Sequence, residues 1–114
     1  MNIIEDVDGY GNRITIKTIG NRKYVTGWYT NGGKMYEEEY NENEKKKGKW
    51  IAWYEDGTKS HEEEYKNGEK EGKWTDWYDD GKYEREYKDG NLITRALYKN
   101  GTLRYEERKI DWMV

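Results

Sequence analysis

The chain has 114 residues, of which 39% are charged and only 32% hydrophobic, with a net charge of −3. That length suits one small domain, and such polarity implies disorder unless large rings supply buried area. Six Trp and twelve Tyr supply it, there is no Phe, and every aromatic therefore carries a polar handle. Each ring buries about 150–250 Å² when covered. With no Cys, disulfides and thiolate metal sites are excluded. No apolar run is long enough for a membrane helix, and Met1-Asn2-Ile3-Ile4-Glu5-Asp6 lacks the basic start of a signal peptide. The expected location is cytoplasmic. The mixed charge also lacks the concentrated basic face that a nucleic-acid partner would favour.

In chain order, residues 1–26 read as an N-terminal cap or a degenerate hairpin. Within them Asp6-Val7-Asp8-Gly9-Tyr10-Gly11-Asn12 has the start of a calcium loop, but Tyr10 and Lys17 stand where oxygen ligands are needed. A turn is the better reading, and no metal is expected. Clear repeats follow at 27–47, 48–71 and 72–93. Their shared signature is Gly27-Trp28-Tyr29-Thr30-Asn31-Gly32, Trp53-Tyr54-Glu55-Asp56-Gly57 and Trp77-Tyr78-Asp79-Asp80-Gly81. A worn copy, Leu97-Tyr98-Lys99-Asn100-Gly101, lies in 94–114, a degenerate repeat with a C-terminal cap.

A period of about 24 residues is two short strands and two turns, so each repeat should be one β-hairpin. Asn31-Gly32, Asp56-Gly57, Asn67-Gly68, Asp80-Gly81, Asp89-Gly90 and Asn100-Gly101 are hairpin turn signals, the Gly supplying positive φ. Where one Gly is missing, Asn41-Glu42-Asn43-Glu44 is expected to turn instead. The segments between turns are rich in Trp, Tyr, Ile, Val and Thr, which suit strands. The fold class expected is all-β: an elongated single-layer antiparallel meander of nine or ten strands, spanning about 45 Å at the usual strand spacing.

The phase of the repeat assigns faces. Counted from each turn Gly, Tyr36, Tyr40, Tyr65, Tyr83, Tyr87, Leu103 and Tyr105 all fall at even offsets and should share one face. With three-residue loops, Trp28, Trp53, Trp77 and Leu97 join them in the core. A two-residue turn swaps that grouping. The other face then carries Tyr29, Tyr54, Tyr78, Tyr98, Trp50 and Trp74 beside Glu37, Glu62, Glu86 and Glu106.

Catalysis finds no support in these residues. His61 is the only histidine, and in Glu37-Glu38-Glu39 and Glu62-Glu63-Glu64 neighbouring carboxylates point to opposite faces. The chain is read as a non-enzyme with no cofactor. Exposed aromatics are natural interface anchors. The expected partner-binding residues are therefore Tyr29, Trp50, Tyr54, Trp74 and Tyr78, with Glu37, Glu62 and Glu86 supplying charge complementarity.

Gly48-Lys49-Trp50, Trp53 to Lys59 and Glu64 to Trp74 closely resemble the MORN-repeat variant, and the third copy through Tyr87-Lys88-Asp89-Gly90 resembles it too. The resemblance covers about residues 27–105. It implies an elongated twisted sheet of successive hairpins and offers no catalytic residue. It also implies a bacterial immunity or antitoxin protein, whose partner would be a cognate toxin; the acidic ladder of Glu37, Glu62 and Glu86 would suit the basic cleft of a nuclease toxin. The alternative is a scaffold or peripheral module that contacts anionic phospholipid through Lys45-Lys46-Lys47-Gly48-Lys49, and homodimerisation is a further option.

Overall fold

The computed structural model describes residues 2–109. The strands are β1 (Asn2–Val7), β2 (Arg13–Ile19), β3 (Arg22–Trp28), β4 (Lys34–Tyr40), β5 (Gly48–Trp53) and β6 (Lys59–Lys66). They continue as β7 (Glu69–Lys70), β8 (Gly72–Tyr78), β9 (Gly81–Lys88), β10 (Asn91–Lys99) and β11 (Thr102–Arg108). All belong to one open antiparallel meander, with the two-residue β7 paired beside the end of β6. The sheet measures 51 × 33 × 21 Å. Of the expected N-terminal cap or degenerate hairpin, β1 and β2 form a hairpin of this sheet and Arg22 starts the third strand. The expected C-terminal cap falls partly on residues 110–114, outside the described residues.

The Asn/Asp-Gly signals resolve into different turns. At Asn67-Gly68, Asp89-Gly90 and Asn100-Gly101 both residues have positive φ, the geometry that matches the twist of a two-residue hairpin. At Asn31-Gly32 and Asp56-Gly57 only the Gly does. There Tyr29 and Tyr54 donate their N–H groups to Gly33 and Thr58 carbonyls at 2.8 Å, closing three-residue loops. Gly81 serves a third purpose. It has no positive φ, and a Cβ there would lie 1.9 Å from the Tyr98 carbonyl oxygen of β10. The turn without Gly forms as expected: Glu44 takes φ 60°, and the Asn41 side chain accepts from the Asn43 and Lys45 N–H groups at 2.9 and 3.0 Å.

Two β-bulges correct the expected face grouping. Gly27 pairs with Tyr36 but Trp28 pairs with Lys34, leaving Met35 as an extra residue. Ala52 pairs with His61 but Trp53 with Lys59, leaving Ser60 extra. One inserted residue reverses the side-chain phase. The third hairpin turns in two residues, and Trp77 again pairs away from Tyr83. Trp28, Trp53 and Trp77 therefore lie opposite Tyr36, Tyr40, Tyr65, Tyr83 and Tyr87. Leu97, across from Tyr105, keeps the expected face, while Leu103, across from Tyr98, leaves it.

The core is a zigzag of rings on the tyrosine face. Trp50, Tyr65, Trp74 and Tyr87 are buried, with Tyr40 and Leu92 packed against them. Successive centroids from Tyr40 to Tyr87 are 5.1–5.3 Å apart in edge or tilted contacts, each worth about 0.5–1.5 kcal/mol beyond area burial. The Trp50 and Trp74 Nε1 groups donate to the Glu39 and Glu64 carbonyls at 3.1 and 3.0 Å. In place of a second layer, lysines cover the rings. Lys46 lies 4.6 and 4.8 Å from Trp50 and Tyr65, and Lys70 lies 4.9 and 5.0 Å from Trp74 and Tyr87. Long stems cover apolar surface while the charged heads stay in water.

Candidate protein-binding edge

A meander places alternate turns on opposite edges. Turns 8–12, 29–33, 54–58, 79–80 and 100–101 therefore share one edge, and turns 41–47, 67–71 and 89–90 share the other. The first is the tip edge. Its tyrosines bridge consecutive hairpins: Tyr29 Oη donates to the Trp53 carbonyl at 2.6 Å, and Tyr54 Oη donates to the Trp77 carbonyl. Asn31 Nδ2 reaches the Glu55 carbonyl at 3.0 Å. Each hydroxyl is thus used internally, with the Tyr54 ring exposed and the Tyr29 ring half-buried. Tyr54 is 42% exposed, Tyr78 55% and Tyr10 94%.

Glu55, Asp56, Asp79 and Asp80 sit among these rings, with Asp8 beside Tyr10. Thr58 donates its hydroxyl and N–H to Asp56, which holds that carboxyl below its usual range. The Asn12 N–H does the same for Asp8. Partial burial, then the charges of Glu55 and Asp56, push the Tyr29 phenol up. Between turns 54–58 and 79–80 lies an open groove of about 1040 Å³ lined by Tyr29, Tyr54, Asp56, Lys59, Trp77 and Tyr78. It offers ring faces for packing and carboxylates for a cation.

The expected binding residues divide among three places. Tyr29, Tyr54 and Tyr78 are on the tip edge. Trp50 and Trp74 are 8% and 4% exposed, so they are core rings and cannot anchor a partner. Glu37 and Glu62 lie on the face of Trp28, Trp53 and Trp77, where each forms an ion pair with a lysine three residues earlier, Lys34 or Lys59. Lys34 and Lys59 also lie 6.0 and 5.9 Å from the Trp53 and Trp77 rings. Glu86 is exposed on that same face, across from Lys73. Sequence reasoning passed over Tyr10 and the carboxylates Glu55, Asp56, Asp79 and Asp80, because inside a Trp-Tyr-acid-Asp-Gly motif the acids read as turn formers.

The other edge is a clasp. The Gly68 N–H donates to the Lys46 carbonyl at 2.9 Å, and the Gly90 N–H to the Lys70 carbonyl at 3.1 Å. Lys46 covers two rings and Lys47 lies 4.0 Å from Glu39. No group of three or more His, Cys, Asp or Glu side chains suited to a metal occurs among the described residues. No helix among them is long and apolar enough to cross a membrane. Comparison with protein-family models, curated proteins and solved structures gives no match for this chain.

Proposed function

We propose that the chain is a non-catalytic protein-binding module, an immunity or antitoxin protein that neutralises a cognate toxin by direct binding in the bacterial cytoplasm. The observation that carries this reading is the tip edge, where exposed Tyr10, Tyr54 and Tyr78 alternate with Glu55, Asp56, Asp79 and Asp80. Aromatics dominate interface hot spots, and an acidic rim steers a basic partner surface, such as the substrate cleft of a nuclease. The resemblance to MORN-repeat variants supports the same reading. The lysine-rich loop lends less support to phospholipid contact, because Lys46 and Lys47 are engaged within the sheet.

The test is co-purification with the product of the adjacent gene, followed by gel filtration. A stable complex that inhibits that product, and that Tyr54→Ala with Tyr78→Ala weakens by about 2 kcal/mol or more, supports the reading. A neighbour that is no toxin, with no complex surviving the column, sinks it.

A further inference from the structure

The two outer strands of the sheet are finished differently. β11 carries Arg104, Glu106, Glu107 and Arg108, and its pairing with β10 is bulged at Leu97/Tyr98. Charges and bulges are the usual protection of an exposed strand against pairing with another chain. β1 (Asn-Ile-Ile-Glu-Asp-Val) has neither a lysine nor a proline, its two charges, Glu5 and Asp6, are answered within the chain by Arg13 and the Val7 N–H, and its register with β2 is unbroken. Ile3, Ile4 and Val7 are 54%, 52% and 62% exposed.

The hydrogen-bond alternation fixes which backbone groups of β1 are available. The Asp8 N–H donates to the Asn12 carbonyl at 2.9 Å, so residue 8 points inward. In an antiparallel ladder inward and outward residues alternate. Asn2, Ile4 and Asp6 therefore bond toward β2, and Ile3, Glu5 and Val7 point their backbone groups away from it. The Val7 N–H is capped by the Asp6 carboxylate at 2.8 Å. Ile3 and Glu5 are left with outward donors and acceptors.

We propose that β1 pairs antiparallel with β1 of a second copy of this chain, across a two-fold axis through Ile4. That register sets Ile3 of each copy opposite Glu5 of the other and makes four backbone hydrogen bonds from the outward groups alone. On the tyrosine face it brings the two Ile4 side chains together in the close, non-hydrogen-bonded position. It also sets the Asn2 amide of each copy opposite the Asp6 carboxylate of the other. Glu5 keeps Arg13 of its own chain 3.7 Å away as a counter-charge. An axis through Glu5 would set the two Glu5 carboxylates directly opposite each other and would call on the Val7 N–H that Asp6 already caps, and a half-residue shift of the axis would use inward-pointing backbone. Pairing β1 with β11 of another copy would be head-to-tail and would propagate, whereas the two-fold closes on itself.

Sedimentation velocity over about 5–500 µM should show a reversible monomer–dimer equilibrium. Because the chain has no Cys, Ile4→Cys gives a register-specific probe. Cα atoms of a non-hydrogen-bonded pair lie about 4.5 Å apart, within disulfide reach. Mild oxidation should cross-link Ile4→Cys chains and leave Ile3→Cys chains monomeric on a non-reducing gel. Ile4→Lys should weaken dimerisation at least about tenfold while leaving the melting temperature of the monomer intact. A chain that stays monomeric over the whole range overturns the proposal. So does equal cross-linking from both positions, or a dimer that survives Ile4→Lys.

Discussion

The clasp edge and the tip edge draw on the same residue types and spend them differently. At the clasp, Tyr40, Tyr65 and Tyr87 turn onto the sheet, pack against Trp50 and Trp74, and are covered by Lys23, Lys46 and Lys70. At the tip, Tyr29 and Tyr54 give their hydroxyls to the next hairpin, and the Tyr54 ring stays exposed beside Glu55 and Asp56 while the Tyr29 ring is half-buried. A single-layer sheet of this size cannot bury every ring. Concentrating burial along one edge fixes the structure there and leaves the other edge regular, rigid and exposed. Hydroxyls bridging consecutive hairpins orient those exposed rings at little entropic cost, which is what an interface anchor needs.

The comparison predicts separable effects. The largest is at the clasp. Trp74→Ala removes a ring that is 4% exposed and opens a gap between Tyr65 and Tyr87, which should cost about 3–5 kcal/mol in urea denaturation. A cost below about 1 kcal/mol would show that the ring zigzag is not the core. Next comes the tip. Glu55→Lys with Asp79→Lys should slow association with a basic partner about tenfold or more and leave the unfolding midpoint where it was. If the midpoint drops instead, the tip acids are structural and the distinction between edges fails.

Smaller effects sharpen the same contrast. Lys46→Ala uncovers Trp50 and Tyr65 together, and should cost about 1 kcal/mol of stability without altering partner affinity. Tyr54→Phe removes the bond to the Trp77 carbonyl and should cost about 0.5–1.5 kcal/mol, with the ring still able to bind.

The smallest effect is electrostatic. Burial, foremost, raises the Glu38 carboxyl above its usual range, although Tyr40 Oη donates to it at 3.1 Å. A raised carboxyl favours the folded state while it is protonated. That contribution is complete below the unfolded pKa and is lost as pH rises through the folded one. Glu38→Gln should therefore flatten the stability profile in that acidic window and raise the melting temperature at neutral pH. At the alkaline end, burial raises Tyr40 and Tyr65 to about 12. Their contribution is complete below the ordinary phenol range and is lost as pH rises from that range through about 12, which an ultraviolet titration followed in parallel with circular dichroism would detect.

Much of the architecture is legible in the sequence because the information is local. The turn signals, the 24-residue period and the aromatic-rich segments each depend on a few neighbouring residues, and the Gly-free turn at Asn41–Glu44 forms as its side chains suggest. The faces were not legible. Met35 and Ser60 look like ordinary strand residues, yet each is the one extra residue that reverses the phase and sends Trp28 and Trp53 away from Tyr36 and Tyr65. A bulge depends on the partner strand, so no local motif announces it. For the same reason Trp50 and Trp74 looked available for binding while they form the core. Nothing local separates Gly81, pressed against the β10 backbone, from the glycines that turn through positive φ.

The central claim is that the tip edge is the surface that meets a partner. Hydrogen exchange of the chain, free and in complex with the partner captured from the adjacent gene, tests it most directly. New protection confined to residues 29–33, 54–58 and 79–80, with the clasp turns 41–47 and 67–71 unchanged, is the predicted result. Protection that appears at the clasp turns and spares the tip would contradict it.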